Sequence, residues 1–279
     1  MAKNILVTKA NGDQELFDPS KLVQSLERAG AKPKVVNEVL RGVKNSLTSG
    51  VTTHEIYKRA FELLRTFEKP VAARYSLKRA VLALGPSGFP FEDYVGEIFK
   101  ARGFTVASRQ ILTGACVEHE VDLVAYTKNK YIIGELKFHN QLGLKSDLKI
   151  ALYVNARVED IKKFREQRGE RRVDEGWLIT NTKFTKAAIT YSNCVGLKLV
   201  SWTYPRYGNL QDLIEEAQAH PLTCLTSLNG NEKMRLMQAG IVLCKTLEER
   251  QAELPKLGIS GEKLKRVLAE GRAVCESHF

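Results

Sequence analysis

The stretch "EVDLVAYTKNKYIIGELKFH" (120–139) sets charged residues inside two apolar, strand-like runs. Asp122 interrupts the first run, and Glu135 and Lys137 interrupt the second. Lys128 and Asn129 suit a two-residue turn, so the runs are predicted to pair as antiparallel strands. That register places Asp122 directly opposite Glu135. Side chains alternate along a strand, so Lys137 is expected on the same face as Glu135.

Two like charges facing each other across a ladder repel, and burial makes the repulsion costlier. A bound divalent cation, a raised pKa on one acid, or a neighbouring lysine could compensate. Carboxylate oxygens suit Mg²⁺ or Mn²⁺, and a lysine beside them suits phosphodiester hydrolysis. Spacing alone leaves such a metal site and a structural Asp–Lys–Glu ion-pair cluster equally open.

A third acid is expected beside this pair, from the predicted helix "FEDYVGEIFKARGF" (91–104). At 100° per residue, Glu92 borders the apolar stripe of this helix, whereas Glu97 points away from it. Glu92 is therefore the better candidate to face the sheet. The stripe consists of Phe91, Val95, Ile98 and Phe99.

Net charge is +11 and unevenly distributed. It is +7 over residues 1–88, +5 over 89–208 and −1 over 209–279, which favours a polyanionic partner for the first two thirds of the chain. The five cysteines form no CxxC pair, which argues against a disulfide framework and a zinc ribbon. With no apolar run long enough to span a bilayer, we expect no membrane contact and a cytoplasmic location.

The pattern of turns and periodicities predicts three domains. Residues 1–88 combine a small hairpin with helices, and the breaker-rich "GPSGFP" (85–90) follows as a linker. Residues 89–208 alternate helices and strands in the order expected for an α/β sandwich with a mixed sheet. Residues 209–279 are predicted to be helical.

The arrangement of Glu92, Asp122 and "ELK" (135–137) resembles the PD-(D/E)xK nuclease superfamily. The downstream "WLITNTKFTKAAITYSNCVGLKLVSW" (177–202) is similar to the Mrr-type restriction endonuclease branch. The resemblance implies a restriction-endonuclease-like fold in which Asp122 and Glu135 bind Mg²⁺ or Mn²⁺. It also implies that Lys137 is catalytic and that Glu92 completes the site.

The segment "VTKANGDQELFDPSKL" (7–22), with "GVTTHEIYKRAFELL" (50–64) and "PVAARYSLKRAV" (70–81), resembles an ATP-cone. This regulatory nucleotide-binding domain occurs on ribonucleotide reductases. The resemblance implies an ATP or dATP pocket. Carried over by position, its lining would be Lys9, Gly12, Glu15, Lys21 and Thr53. A cone that has lost its nucleotide and only mediates oligomers is the alternative.

The C-terminal segments "LTSLNGNEKMRLMQAGI" and "LPKLGISGEKLKRVLAEG" resemble tandem helix–hairpin–helix units. An ordinary helical dimerisation element explains them equally well.

Together these features predict a metal-dependent DNA endonuclease regulated by ATP or dATP, with restriction or defence as its expected role. Hydrolysis by metal-activated water needs two such sites for double-strand cleavage, so a homodimer or larger homo-oligomer is expected. The alternative is a catalytically inactive, nucleotide-sensing DNA-binding regulator. RNA as the substrate also stays open.

Overall fold

The computed structural model describes residues 5–85 and 87–276, which divide into two compact units. The first unit combines the chain up to Ala80 with residues 220–236 and the segment from Cys244 onward. The second combines residues 81–219 with residues 237–243. The predicted division into three domains at 88 and 208 stays a prediction.

The first unit starts with the predicted hairpin, whose strands pair from Leu6–Leu16 to Thr8–Gln14. Gly12 adopts a φ of 87° in the turn, a backbone conformation that glycine reaches without strain. Asp18 then caps the first helix by accepting a hydrogen bond from the Ser20 N–H at 2.9 Å. The elements are β1 (Leu6–Thr8), β2 (Gln14–Leu16), α1 (Pro19–Arg28), α2 (Pro33–Ser46), α3 (Thr53–Phe67), α4 (Lys69–Tyr75) and α5 (Leu77–Leu82).

Helices α4 and α5 are separated by a turn at Ser76. The Ser76 hydroxyl donates to the Ala73 carbonyl at 2.7 Å, which competes with the regular backbone ladder. Helices α1 to α4 enclose an apolar core that includes Leu26, Val39 and Leu64. An amphipathic face on each helix therefore stabilises this part of the unit.

The second unit is an α/β sandwich with a five-stranded mixed sheet, as predicted. Its elements are α6 (Phe89–Ala101), β3 (Thr105–Thr113), β4 (Glu118–Tyr126), β5 (Tyr131–Lys137), β6 (Lys145–Ser146), α7 (Leu148–Gln167), β7 (Glu175–Thr180), β8 (Lys183–Phe184), α8 (Lys186–Val195), β9 (Lys198–Val200) and α9 (Leu210–Glu216). The sheet order is β3-β4-β5-β7-β9; the first three strands pair antiparallel and the last three pair parallel.

Helices cover both faces of this sheet. On one face, Val154, Val158 and Ile161 of α7 lie in a core with Val124 and Ile133. On the other face, the stripe predicted for α6 is buried, and Phe99 meets Trp177 of β7 edge to face at 5.4 Å between ring centroids. The sheet is thus a rigid support from which residues near its edge can project.

The C-terminal helices are α10 (Gly230–Gln238), α11 (Thr246–Glu249) and α12 (Gly261–Cys275), with short 3-10 turns at Leu222–Cys224 and Leu254–Leu257. Helix α12 contacts α4, where Arg74 Nη1 donates to the Ala273 carbonyl at 3.2 Å. The Thr223 hydroxyl also donates to the Ala80 carbonyl at 2.6 Å. Within the first unit, the C-terminal segment therefore packs against residues 5–80.

None of the helices formed by residues 5–85 and 87–276 combines the length and apolarity required to cross a lipid bilayer.

Two strand glycines offer a stability test of the α7 face. A Cβ at Gly176 would lie 2.7 Å from a Val158 methyl group, whereas one at Gly134 would meet its nearest neighbour at an ordinary 3.5 Å. We expect Gly176→Ala to lower the free energy of unfolding by about 1–3 kcal/mol, the usual cost of overpacking. Gly134→Ala should change it by less than about 1 kcal/mol. Urea denaturation followed by circular dichroism measures both, and equal effects would contradict the tight contact.

Candidate functional site

Asp122 lies where β4 and β5 separate. The strands pair from Tyr126–Tyr131 to Leu123–Gly134, which confirms the predicted register. The next position in that register sets Asp122 opposite Glu135, but there the ladder has ended. Instead, Asp122 Oδ2 accepts a hydrogen bond from the Leu136 N–H at 2.7 Å. The carboxylate thus occupies the opening between two strands and satisfies a backbone donor there.

Arg109 of β3 distorts the sheet beside this opening. Its φ is 53°, and the β3–β4 ladder omits the Arg109–Asp122 position. Ala107 and Leu112 are five positions apart, so regular alternation would put them on opposite faces of the sheet. Both pack on the α7 side, so the alternation reverses between them. The distortion turns Arg109 toward α6, where Nη2 bonds Asp93 Oδ1 at 2.9 Å.

Glu92 faces the sheet from α6, as predicted. Its side chain is 12% exposed and accepts a bond from Arg109 Nη1 at 3.2 Å, whereas Glu97 is 32% exposed and bonds Lys100 on its own helix. Burial raises the pKa of Glu92, although the hydrogen bond from Arg109 opposes the rise. Glu92 is therefore a partly desolvated acid at the sheet edge.

The carboxylates of Glu92, Asp122 and Glu135 interact electrostatically. The pKa of Asp122 is raised to about 6, first by burial, then by the negative charge of Glu135, with a smaller contribution from Glu92. The Leu136 N–H and Arg157 act in the opposite direction. The structure therefore brings these three predicted site residues together.

Two residues of α7 hold Glu135, and sequence reasoning missed both. Arg157 Nη1 bonds Glu135 Oε2 at 2.5 Å, and the Tyr153 hydroxyl donates to Glu135 Oε1. The Arg157 guanidinium also lies 4.9 Å from the centroid of the Tyr153 ring. Their four-residue spacing puts both on one face of a helix, which is a weak signal before the helix is known to cover this strand.

Lys137 is exposed at the end of β5, two residues after Glu135 and on the same face by strand alternation. The flanking histidines have partners of their own. His139 Nε2 lies 3.0 Å from the Ser146 hydroxyl, and His119 Nε2 lies 2.8 Å from Asp160 Oδ2. Lys137 thus leaves the sheet beside the acids with its ammonium group toward solvent.

The donor set at this edge fits a hard divalent cation. Across residues 5–85 and 87–276, no three His, Cys, Asp or Glu side chains form a ready metal-binding group. Mg²⁺, however, commonly takes only one or two carboxylates and completes its shell with water and phosphate oxygens. Asp122 and Glu135 could supply these two oxygen ligands, and a cation would relieve the repulsion that raises the Asp122 pKa.

The first unit holds a cavity of about 220 Å³ beside the β1–β2 hairpin. Of the residues predicted to bind nucleotide, Glu15, Lys21 and Thr53 line it, whereas Lys9 and Gly12 do not. Lys9 Nζ lies 2.6 Å from Glu15 Oε2, and Lys21 Nζ lies 3.1 Å from Glu15 Oε1. Hydrogen bonds from Lys9 and then Lys21 lower the Glu15 pKa. One carboxylate thus bridges two lysines at the cavity mouth.

Aromatic side chains that sequence reasoning missed form the cavity's apolar wall. Tyr57 and Tyr75 stack with 5.3 Å between ring centroids and an interplanar angle of 7°. The Arg79 guanidinium lies over the Tyr57 ring, 4.1 Å from its centroid. Burial raises the pKa of both tyrosines. The full lining is Val7, Glu15, Leu16, Phe17, Asp18, Lys21, Leu22, Ser25, Thr53, Ile56, Tyr57 and Tyr75.

Fold and site together define a protein with a restriction-endonuclease-like domain joined to an ATP-cone. The family described as "Restriction endonuclease" matches residues 85–203, and the ATP cone domain matches residues 5–81. The family described as "AF1548-like, C-terminal" matches residues 220–275. The predicted fusion of a cone with an Mrr-like domain is confirmed.

An uncharacterized protein from Archaeoglobus fulgidus is 32% identical over 181 residues, which are 64% of this chain and 99% of the relative. A crystal structure described as a protein of unknown function, AF1548, superposes with a TM-score of 0.55 at 32% identity. The match covers 68% of this chain and 98% of the chain in that crystal structure. The chain belongs to the AF1548-like family.

The raised pKa of Asp122 predicts how stability depends on pH. The native protein binds the Asp122 proton more tightly than the unfolded chain does. Ionisation of Asp122 therefore lowers the free energy of unfolding. The loss is absent below the unfolded pKa and complete above about pH 6. Without divalent cations, we expect Asp122→Asn to raise the free energy of unfolding at pH 8 by on the order of 1 kcal/mol, allowing for solvent screening. The gain should vanish near pH 4. Urea denaturation in chelator measures it.

Asp160→Asn is the control, because it should change the free energy of unfolding in the opposite direction. The pKa of Asp160 is lowered to about 2, chiefly by its hydrogen bond with His119. The ionised Asp160 carboxylate stabilises the fold above the unfolded pKa, and this stabilisation is lost as the pH falls through about 2. Asp160→Asn should therefore destabilise the protein at pH 8, and a matching loss in Asp122→Asn would contradict the raised pKa.

Proposed function

We propose that this protein is a Mg²⁺- or Mn²⁺-dependent DNA endonuclease, regulated by ATP or dATP, with a role in restriction or defence. The observation that carries the proposal is the meeting of Glu92, Asp122 and Glu135 at one sheet edge, with Lys137 leaving the same edge. A restriction-endonuclease-like domain supplies that edge. Metal-assisted phosphodiester hydrolysis uses carboxylates to hold the cation and a positive charge to stabilise the phosphate.

The four residues of the site divide into metal ligands, a catalytic lysine and an accessory acid. Asp122 and Glu135 would hold the cation, which when bound would supply a water of lowered pKa and neutralise charge at the phosphate. Lys137 would orient the attacking water or stabilise the charge that develops on the phosphoryl oxygens. Glu92 would be accessory, and its bond to Arg109 fixes its position beside Asp122.

The contacts of Arg157 and Tyr153 with Glu135 favour a second candidate, a catalytically inactive DNA-binding regulator. In that candidate, the Arg157 guanidinium would permanently occupy the place of the metal beside Glu135. Both candidates take DNA as the partner, because charges of +7 and +5 over residues 1–88 and 89–208 suit a polyanion. RNA, the expected homo-oligomer and the cytoplasmic location stay predictions.

Plasmid cleavage in Mg²⁺ or Mn²⁺ tests the catalytic assignment. We expect Asp122→Asn, Glu135→Gln and Lys137→Met each to lower the cleavage rate by about 100-fold or more, the usual cost of removing charge stabilisation. Glu92→Gln should also lower the rate. Its matched control is Glu97→Gln, which removes a carboxylate of the same helix that points away from the sheet. It should leave the rate unchanged.

Metal-dependent stabilisation separates the two candidates. Mg²⁺ should raise the melting temperature of the wild type but not of Asp122→Asn or Glu135→Gln. Equal residual nicking by wild type, Asp122→Asn and Lys137→Met would refute the endonuclease. Salt-sensitive DNA binding with no cleavage and no metal response would favour the inactive regulator.

The cavity beside the hairpin supports the nucleotide part of the proposal. Lys21 and Glu15 place charge at one side of it, and Tyr57 and Tyr75 provide an aromatic wall. Nucleotides combine a phosphate chain with an aromatic base, so the lining matches their chemistry. Lys9, which bonds Glu15, would join the phosphate-binding group.

Isothermal titration with ATP and dATP tests this assignment. Lys21→Ala should weaken binding by about tenfold or more, because a hydrogen bond to a charged group contributes about 1.5–3 kcal/mol. The control is Lys44→Ala, which removes an equal charge from an exposed position of α2 outside the cavity. Equal affinities for the two variants would contradict phosphate binding at Lys21.

A further inference from the structure

Three cysteines and a histidine that lie far apart in the sequence meet in the first unit. Cys224 and Cys244 are buried, with 4.0 Å between their Sγ atoms. The Cys244 thiol also hydrogen bonds to Cys275, which in turn contacts His220. These four residues, which we term the thiol cluster, belong to neither proposed site.

Several elements hold the thiol cluster in place. The Cys244 N–H donates to the His220 carbonyl at 2.8 Å, so the chain segments that carry these two residues run side by side. Cys224 ends a 3-10 turn, and its thiol donates to the Pro221 carbonyl at 2.7 Å. Cys275 is the last residue of α12, the helix that contacts α4. The sulfur atoms are therefore juxtaposed by the fold itself.

The members of the cluster are chemically unequal. Cys244 is buried, and burial raises the pKa of its thiol. Cys275 is only partly buried, and the hydrogen bond from Cys244, followed by His220, holds its pKa well below the usual value. Buried His220 Nδ1 has no hydrogen-bond partner among residues 5–85 and 87–276. A partly accessible thiolate beside a buried thiol is the arrangement typical of peroxide-sensing cysteines.

We propose that Cys275 is a peroxide-reactive site and that Cys244 is its resolving cysteine. The Cys275 sulfur would attack one peroxide oxygen and break the O–O bond, giving a sulfenic acid while the other oxygen leaves as water or an alcohol. The Cys244 sulfur would then attack the sulfenic sulfur, form the disulfide and release water. The two sulfurs together lose the two electrons that the peroxide gains.

The same donors are also compatible in type with zinc, which takes three thiolates and an imidazole in many structural sites. However, the described part of the chain contains no group of three such side chains arranged to hold a metal. The direct contact between thiols instead favours sulfur chemistry. Zinc therefore serves as the competing outcome in the experiment.

The full-length protein, reduced and freed of reductant, would be treated with one to two equivalents of hydrogen peroxide and mapped by mass spectrometry without reduction. We expect a Cys244–Cys275 disulfide in the wild type and in Cys224→Ser. In Cys244→Ser the sulfenic acid on Cys275 should persist and react with a cyclic 1,3-dione, and in Cys275→Ser both products should be absent. Circular dichroism of each variant verifies folding.

Exposed Cys116 and Cys194 provide internal controls in the same molecule. Iodoacetamide labelling follows the thiolate fraction, so Cys275 should keep its labelling rate within about twofold from pH 8 to pH 6. The rate for Cys116, whose pKa is raised by Asp160, should fall about tenfold per pH unit. The proposal would be overturned by oxidation of Cys116 or Cys194 before Cys275, by no disulfide, or by one equivalent of zinc in the purified protein.

Discussion

The opposition of Asp122 and Glu135 is the constraint on which the candidate site depends. Burial of Asp122 raises its pKa to about 6, and the negative charge of Glu135 adds to the rise. A regular ladder would have fixed the acids face to face. The strands instead part after Leu123–Gly134, and the Leu136 N–H bonds Asp122. The Asp122 carboxylate therefore lies where the two strands separate, and a backbone donor partly offsets its burial.

The carboxylates on the two sides of the sheet have different hydrogen-bond partners. On the α6 side, Arg109 bonds Glu92 and Asp93 and leaves Asp122 with a backbone donor. On the α7 side, Arg157 and Tyr153 take both oxygens of Glu135. A cation placed between Asp122 and Glu135 would compete with Arg157 for the same carboxylate. Arg157 would then be available to pair with another anionic group, and guanidinium groups bind phosphate oxygens well.

Local sequence pattern was enough to predict what strand and helix periodicity determine. The turn at Lys128-Asn129, the register and the inward direction of Glu92 all follow from residues close in sequence. Arg157 and Tyr153 could not be predicted, because their contact depends on which strand α7 covers. Arg109 was missed for another reason: a positive φ in a non-glycine residue is held by tertiary contacts and has no sequence signature.

The thiol cluster could not be predicted from the sequence either. The spacing of its cysteines matches no short motif, and their contact depends on tertiary packing. Cys224 ends a 3-10 turn, Cys244 lies just before α11, and Cys275 ends α12. Residues from three separate stretches of the chain therefore meet only because the fold of the first unit packs those stretches together.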